Sequence, residues 1–198
     1  VLAGPDRRRW SGRRDHVLLL LAVQTGLRLS EMTGLRAADI RLGTGAHVHV
    51  LGKGRKERCT PLAKQTQAVL RSWMSRDLGP EPAILFPSAR GSRLSADGVQ
   101  YLVAKHVATA ARACPSLTRK RVTPHVLRHT TAMELLQAGV DRSVIAMWLG
   151  HESLETTQIY LDADLTLKER VLDKVAPPSV QARRYRPEDK LMAFLSAL

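Results

Sequence analysis

Residues 40–62 read IRLGTGAHVHVLGKGRKERCTPL, and this stretch decides the fold class. Apolar and polar residues alternate at 40–42, 48–51 and 58–62, which is the period of a β-strand. Gly43-Thr44-Gly45 and the glycine-containing stretch 52–57 separate the three segments as turns. We therefore predict a small three-stranded antiparallel sheet, placed at the periphery of the fold.

The sequence on both sides of this sheet has the apolar spacing of helices. Gly26 is a natural stop for the first helix, and Thr123-Pro124 opens a later one with a capping hydroxyl and a proline at the first helical position. The fold class is therefore mainly α with one small sheet. The predicted helices cover 15–24, a segment from 29 onward, 64–76, 95–113, 124–138, 141–149, 153–161, 165–175 and 187–198.

The amino-acid composition excludes several classes of protein. The 198 residues include 31 Lys and Arg against 18 Asp and Glu, a net charge of +13, yet 44% are hydrophobic, which excludes a disordered polycation. A folded basic domain indicates a polyanionic partner, with nucleic acid as the first candidate, although aromatics at 4% argue against base stacking as the main mode of binding.

Two cysteines fit neither a disulfide scaffold nor a Cys-rich zinc site, which favours a reducing compartment. No apolar run approaches the ~18 residues of a membrane span.

Three segments divide the chain. Residues 1–14 form a basic lead-in, residues 15–176 the main domain, and residues 177–198 a linker with a C-terminal amphipathic helix. Pro177-Pro178 separates the last two segments, and an apolar stripe at helical spacing runs through 191–198.

Several polar residues have the chemistry of an anion site. His125 and Arg128 are three residues apart in the first turn of a helix, where backbone N–H groups already favour a phosphate. Arg28 follows a glycine turn with Glu31 within helical reach, and Lys53 lies between two glycines. Taken singly, each of these is more often a solvated surface residue. A tyrosine between apolar neighbours, such as that at position 160, is more often a core residue.

Their order and spacing, however, resemble the tyrosine recombinase (phage integrase) family. The motifs are TGLRLSE at 25–31, GKG at 52–54, HVLRH at 125–129, LGH at 149–151, and a tyrosine nine residues later. The resemblance covers 15 to about 175, and it implies the DNA breaking-rejoining enzyme fold of that family's catalytic domain. It also implies site-specific recombination or integration, by cleavage and rejoining of DNA through a 3′-phosphotyrosyl intermediate.

The resemblance implies a role for each residue. The catalytic residues would be Arg28, Lys53, His125, Arg128, His151 and the nucleophile Tyr160, with Glu31 in support. The chemistry of these residue types agrees: a tyrosine oxygen needs a base, two arginines and a histidine can neutralise a five-coordinate phosphorus, and a lysine can protonate the leaving 5′-oxygen. We expect no metal, cofactor or ATP.

Partners and location follow from the same resemblance. We expect the protein to bind double-stranded DNA and to form a tetramer on two duplexes, with a monomer possible without DNA. The expected location is cytoplasmic and DNA-associated, for a protein of bacterial or phage-like origin. The C-terminal helix would pack either on its own domain or on a neighbouring subunit, and a preceding DNA-clamping domain is expected to be missing from this chain. The predicted DNA-contacting residues are Arg7, Arg8, Arg9, Arg13, Arg14, Arg55 and Lys56.

Three alternatives stay open on the sequence. A type IB topoisomerase uses similar residues on one duplex, a basic DNA-binding module would lack catalysis, and a metal-dependent nuclease needs carboxylates that are not clustered here. Among the other histidines, His129 is expected to face away from His125, and His47 and His49 to be sheet residues.

Overall fold

A computed structural model describes residues 1–52, 57–78, 84–150 and Leu172. Two short 3₁₀ turns, Ala37–Asp39 and Pro115–Arg119, were not anticipated from the sequence. The helices and strands, in chain order, are α1 (Trp10–Thr25), α2 (Leu29–Gly34), β1 (Ile40–Arg41), β2 (His47–Leu51), β3 (Glu57–Pro61), α3 (Lys64–Arg76), α4 (Ala96–Ala111), α5 (Pro124–Gln137) and α6 (Arg142–Leu149).

Helix α1 runs through the centre of the main core and packs against α3 and α5. Its residues 17–22 are all buried, as expected of a helix that is apolar on nearly every side. The predicted start at Asp15 is wrong by five residues, because the helix begins at Trp10, whose ring packs against Trp73. Residues 10–14 of the predicted lead-in therefore lie in a core helix.

The three-stranded antiparallel sheet is confirmed, in the order β1-β2-β3. Val48 pairs with Ile40 on one side and with Thr60 on the other, and its side chain is completely buried in the main core. The expected peripheral position is therefore wrong for the inner face of the sheet, because alternate residues of β2 and β3 complete the core. His47 and His49 lie in β2 as predicted.

The remaining helices follow the predicted boundaries closely. Ser95, Thr123 and Asp141 cap α4, α5 and α6 through side-chain oxygens, and Gly150 ends α6 in the left-handed conformation. Helices α5 and α6 form a second, smaller core cluster around Ile145 and Trp148. Apart from Leu172, the predicted helices at 153–161, 165–175 and 187–198 lie outside the described residues. Within the described ranges, no helix combines the length and apolarity needed to cross a bilayer.

Candidate active site

Arg28 lies in the turn between α1 and α2, two residues after Gly26, whose backbone has the left-handed conformation. Its backbone N–H donates to Glu31 Oε2 over 2.6 Å, and its Nη1 donates to Glu31 Oε1 over 3.2 Å. Its Nη2 donates to the carbonyl oxygen of Gly150 over 2.8 Å. The guanidinium is therefore held at both ends while about a third of the side chain stays exposed. The predicted contact between Arg28 and Glu31 is present.

Arg128 is buried in α5, with 7% of its surface exposed. Its Nη1 donates to the carbonyl oxygen of Gly26 over 2.6 Å, and its Nη2 donates to that of Leu149 over 2.8 Å. Burial, and then the positive charges of Arg28 and Arg58, lowers the pKa of Arg128 to about 10. The group therefore stays protonated at neutral pH, and it ties the end of α1 to the end of α6.

The two arginines meet at one place, the carboxyl end of α6. Arg128 donates a hydrogen bond to the carbonyl oxygen of Leu149, and Arg28 donates one to the next carbonyl oxygen, that of Gly150. The last carbonyls of a helix have no partner within the helix and carry partial negative charge, so they hold cations well. Residues that are 100 positions apart in the sequence are thereby placed side by side, at the turn immediately before His151.

A third arginine belongs to this cluster, and it was not among the residues predicted from the sequence. Arg58 in β3 is buried, and its two terminal nitrogens donate to the two oxygens of Glu31, each over 2.8 Å. Burial alone would raise the pKa of Glu31, but the hydrogen bonds and charge of Arg58, with a smaller effect from Arg28, lower it below its usual value of 4.5. The signal was the strand alternation, which puts Arg58 on the inner face opposite Val50.

His125 is exposed in the first turn of α5, and the prediction for its neighbour His129 is wrong. The Nε2 atoms of the two rings are 2.6 Å apart, and the rings pack edge to face with centroids 4.1 Å apart. The physical reason is the helical repeat, because residues four apart lie on nearly the same side of a helix. Burial first, and then the neighbouring His125 and Arg128, lowers the pKa of His129.

The basic lead-in divides into two kinds of residue. Arg7, Arg8 and Arg9 are exposed, and the last two pair with Asp6 at the surface. Arg13 instead forms an ion pair with Asp77 at 2.7 Å. Arg14 is buried, where it bonds Asp15 and the carbonyl oxygen of Pro87. The guanidinium groups of Arg13 and Arg14 are thus committed to the fold, contrary to the prediction that they face DNA.

A second exposed basic segment was not anticipated. Arg119, Lys120 and Arg121 are exposed, and they precede α5 by a few residues. They therefore add positive charge on the approach to His125.

Comparison with known proteins settles the family. A model of the phage integrase family matches residues 7–166 of the chain. The chain belongs to the phage integrase family. A putative integrase/recombinase, y4rC of Sinorhizobium fredii, is 63% identical over 198 residues, which is all of this chain and 60% of that protein. The tyrosine recombinase XerC of Pelobacter propionicus is 38% identical over 179 residues, which is 90% of this chain and 56% of that protein.

Solved integrase-family structures share the fold. The XerH site-specific recombinase, bound to a palindromic difH substrate after cleavage, superposes with a TM-score of 0.63 at 29% identity, covering 87% of this chain and 48% of that one. The integrase of mycobacterium phage Brujita superposes with a TM-score of 0.65 at 24% identity, covering 91% and 56%. The chain spans less than two thirds of the length of these relatives.

The structure thus brings together three of the predicted site residues, Arg28, Glu31 and Arg128, around the carboxyl end of α6. His125 lies in the first turn of α5, one turn before Arg128. The remaining predicted site residues lie outside the described residues: Lys53, Arg55, Lys56, His151 and Tyr160.

Proposed function

We propose that this integrase-family protein is a site-specific DNA recombinase, which cleaves and rejoins DNA strands by transesterification through a 3′-phosphotyrosyl intermediate. One observation carries the proposal. Arg28 and Arg128 converge on the consecutive carbonyls of Leu149 and Gly150, immediately before His151 in the chain. This arrangement fixes two guanidinium groups next to the motif that precedes the candidate nucleophile, Tyr160.

The arginines supply the electrostatic part of the mechanism. A guanidinium has five N–H donors, and the side chains of Arg28 and Arg128 each donate two hydrogen bonds within the protein. We assign the binding of a phosphodiester to the donors that remain. As the phosphorus becomes five-coordinate, charge grows on its non-bridging oxygens. Fixed donors stabilise that charge at no reorganisation cost, so the step needs no metal ion.

Proton transfer falls to the other residues. We assign the acceptance of the Tyr160 hydroxyl proton to His125, and the protonation of the leaving 5′-oxygen to Lys53. His151 adds a further donor to the phosphate. The bond between phosphorus and the tyrosine oxygen forms as the bond to the 5′-oxygen breaks, and the reverse exchange with another 5′-hydroxyl rejoins the strand without ATP.

DNA binding is proposed on the charge of the protein. The net charge of +13 and the exposed Arg7, Arg8, Arg9, Arg119 and Lys120 suit the phosphate backbone. We further propose a tetramer on two duplexes, exchange of the segment 177–198 between subunits, and a DNA-clamping domain before this one. The proposed location is cytoplasmic, for a protein of bacterial or phage-like origin. The XerH complex with DNA supports the binding of DNA by analogy.

The experiment begins with a pool of nicked duplexes whose central sequence is randomised. Covalently captured DNA is recovered after denaturation in the presence of EDTA, and its sequence defines the duplex for the next step. We expect a labelled strand of one such duplex to be joined to a second duplex. Relaxation of supercoiled DNA without joining would instead indicate a type IB topoisomerase, EDTA-sensitive cleavage a nuclease, and binding without any adduct a module that lacks catalysis.

A further inference from the structure

Arg58 occupies a position where a strand normally carries an apolar residue. It lies on the inner face of β3 opposite Val50, and its neighbour on the same face, Thr60, is completely buried. Only 6% of the surface of Arg58 is exposed. A buried charge is costly unless it is paired and hydrogen-bonded, so the placement of Arg58 depends on its partner, Glu31.

Glu31 is shared unequally between two arginines. Arg58 donates hydrogen bonds to both carboxylate oxygens in a bidentate fork, each over 2.8 Å. The side chain of Arg28 donates a single, longer hydrogen bond of 3.2 Å. A carboxylate released from Arg58 is free to form its own fork with Arg28. Such a fork would neutralise Arg28 and turn its guanidinium away from the turn at Gly150.

The same arginine also lies against that turn. A Cβ at Gly150 would be 2.9 Å from Arg58 Cδ and 3.0 Å from Arg58 Nη1, so a side chain at position 150 would displace Arg58. The contacts therefore close a ring, from Arg58 to Glu31, from Glu31 to Arg28, from Arg28 to the carbonyl of Gly150, and from Gly150 back to Arg58.

We propose that Arg58 is a positioning residue for strand cleavage, acting through Glu31 on Arg28 and through Gly150 on the turn that leads to His151. The inference rests on the proposed function. Arg58 would touch neither the phosphate nor the reacting atoms.

The test compares Arg58→Met with Arg41→Met, an exposed arginine of the same sheet, in the full chain. The probe is the nicked duplex recovered from the randomised pool, with enzyme in excess, so that the single-turnover rate constant is separated from the affinity for DNA. We expect Arg58→Met to slow cleavage roughly 100-fold with little change in affinity, as is typical of a misplaced catalytic group. Arg41→Met should cleave like the unmodified protein.

A double-variant cycle separates positioning from a merely structural role. If Arg58 acts through Arg28, then Arg58→Met should cost little further rate in an Arg28→Lys background. A full additional loss there, or an unchanged rate for Arg58→Met alone, would overturn the inference.

Should Arg58→Met fail to fold, the double variant of Glu31→Gln with Arg58→Met removes both charges together. That pair is expected to fold and to cleave slowly, and cleavage at the unmodified rate would also overturn the inference.

Failure of the proposed function is a distinct outcome, because the unmodified protein would then form no adduct at all. Nitrogen-15 spectra of the arginine side chains provide a readout that is independent of cleavage. The Nε–H resonance of Arg28 should move in Arg58→Met and stay in place in Arg41→Met. An unmoved Arg28 resonance in Arg58→Met would contradict the ring of contacts.

Discussion

At the scale of single residues, burial at position 128 affects the charge of any cationic side chain that replaces Arg128. Its surroundings lower the pKa of Arg128 to about 10, and the same surroundings act on any cation placed there. The unperturbed pKa of a lysine is lower than that of an arginine, so the lysine of Arg128→Lys has a pKa shifted toward the neutral range. We expect the cleavage rate of Arg128→Lys, relative to the unmodified protein, to fall as the pH rises from about 6 to about 9. A constant ratio over that range, measured in single-turnover assays, would contradict the burial argument.

Glu31 is the second residue whose environment predicts a pH dependence. Its pKa is lowered in the folded state, so its contribution to the free energy of unfolding is complete above the usual value of 4.5 and is lost as the pH falls through the folded-state value. Glu31→Gln leaves Arg58 buried without its carboxylate, which costs about 3–5 kcal/mol at neutral pH. Denaturant unfolding at a series of pH values should show the two proteins converging in acid. A difference that stays constant down to pH ~3 would rule out this account of the ion pair.

At the scale of elements, the end of α6 fixes the geometry of the site. Gly150 has a φ of +68° and Arg58 beside it, whereas Gly139, after α5, has a φ of +77° and nothing within 4 Å of the position that a Cβ would take. Both Gly→Ala changes therefore carry the left-handed cost of about 1–2 kcal/mol. Only Gly150→Ala should also slow cleavage, because it displaces Arg58 and the turn that holds Arg28. Equal cleavage rates for the two variants, after matching for folded protein by thermal melts, would contradict this role of the turn.

Much of the fold was predictable at this scale, because its signals are local. The hairpin glycines, the period of two at 40–62, and the caps Gly26 and Thr123 each act within a few residues. The pairing of Arg28 with Glu31 was predictable for the same reason, since they are three residues apart.

The missed features depend on contacts between distant parts of the chain. The early start of helix α1 goes with two distant contacts, the packing of Trp10 on Trp73 and the pairing of Arg13 with Asp77, 64 residues away from Arg13. Nothing near Trp10 or Arg13 in the sequence indicates either partner. Arg58 directly follows the predicted hairpin tip at 52–57, which is rich in Gly, Lys and Arg, yet its partner Glu31 is 27 residues away. A basic residue on the inner face of a strand is the one local sign that such a partner exists. His129 was missed for a different reason, because its helical offset from His125 was misjudged.

At the scale of the whole molecule, the structure separates arginines that face solvent from those that belong to the fold. Replacing Arg119, Lys120 and Arg121 with glutamine should weaken binding to DNA of any sequence and flatten its salt dependence. Arg13→Gln is the matched control, because its charge is already paired with Asp77. That variant should lower thermal stability and leave the salt slope unchanged. DNA titrations at several salt concentrations measure the affinity and the salt slope, and thermal melts measure the stability. Equal salt slopes for the two variants would contradict this division of the arginines.

The central claim is that Tyr160 attacks the DNA, and mapping the covalent adduct tests it most directly. The captured complex is digested with trypsin, and the nucleotide-bearing peptide is identified by mass spectrometry. Tyr101 offers a matched control, since 68% of its surface is exposed and it lies in α4. We predict that the unmodified protein and Tyr101→Phe carry DNA on Tyr160, while Tyr160→Phe binds the duplex with nearly the same affinity and forms no adduct. An adduct that persists in Tyr160→Phe, or that maps to another residue in the unmodified protein, would contradict the claim.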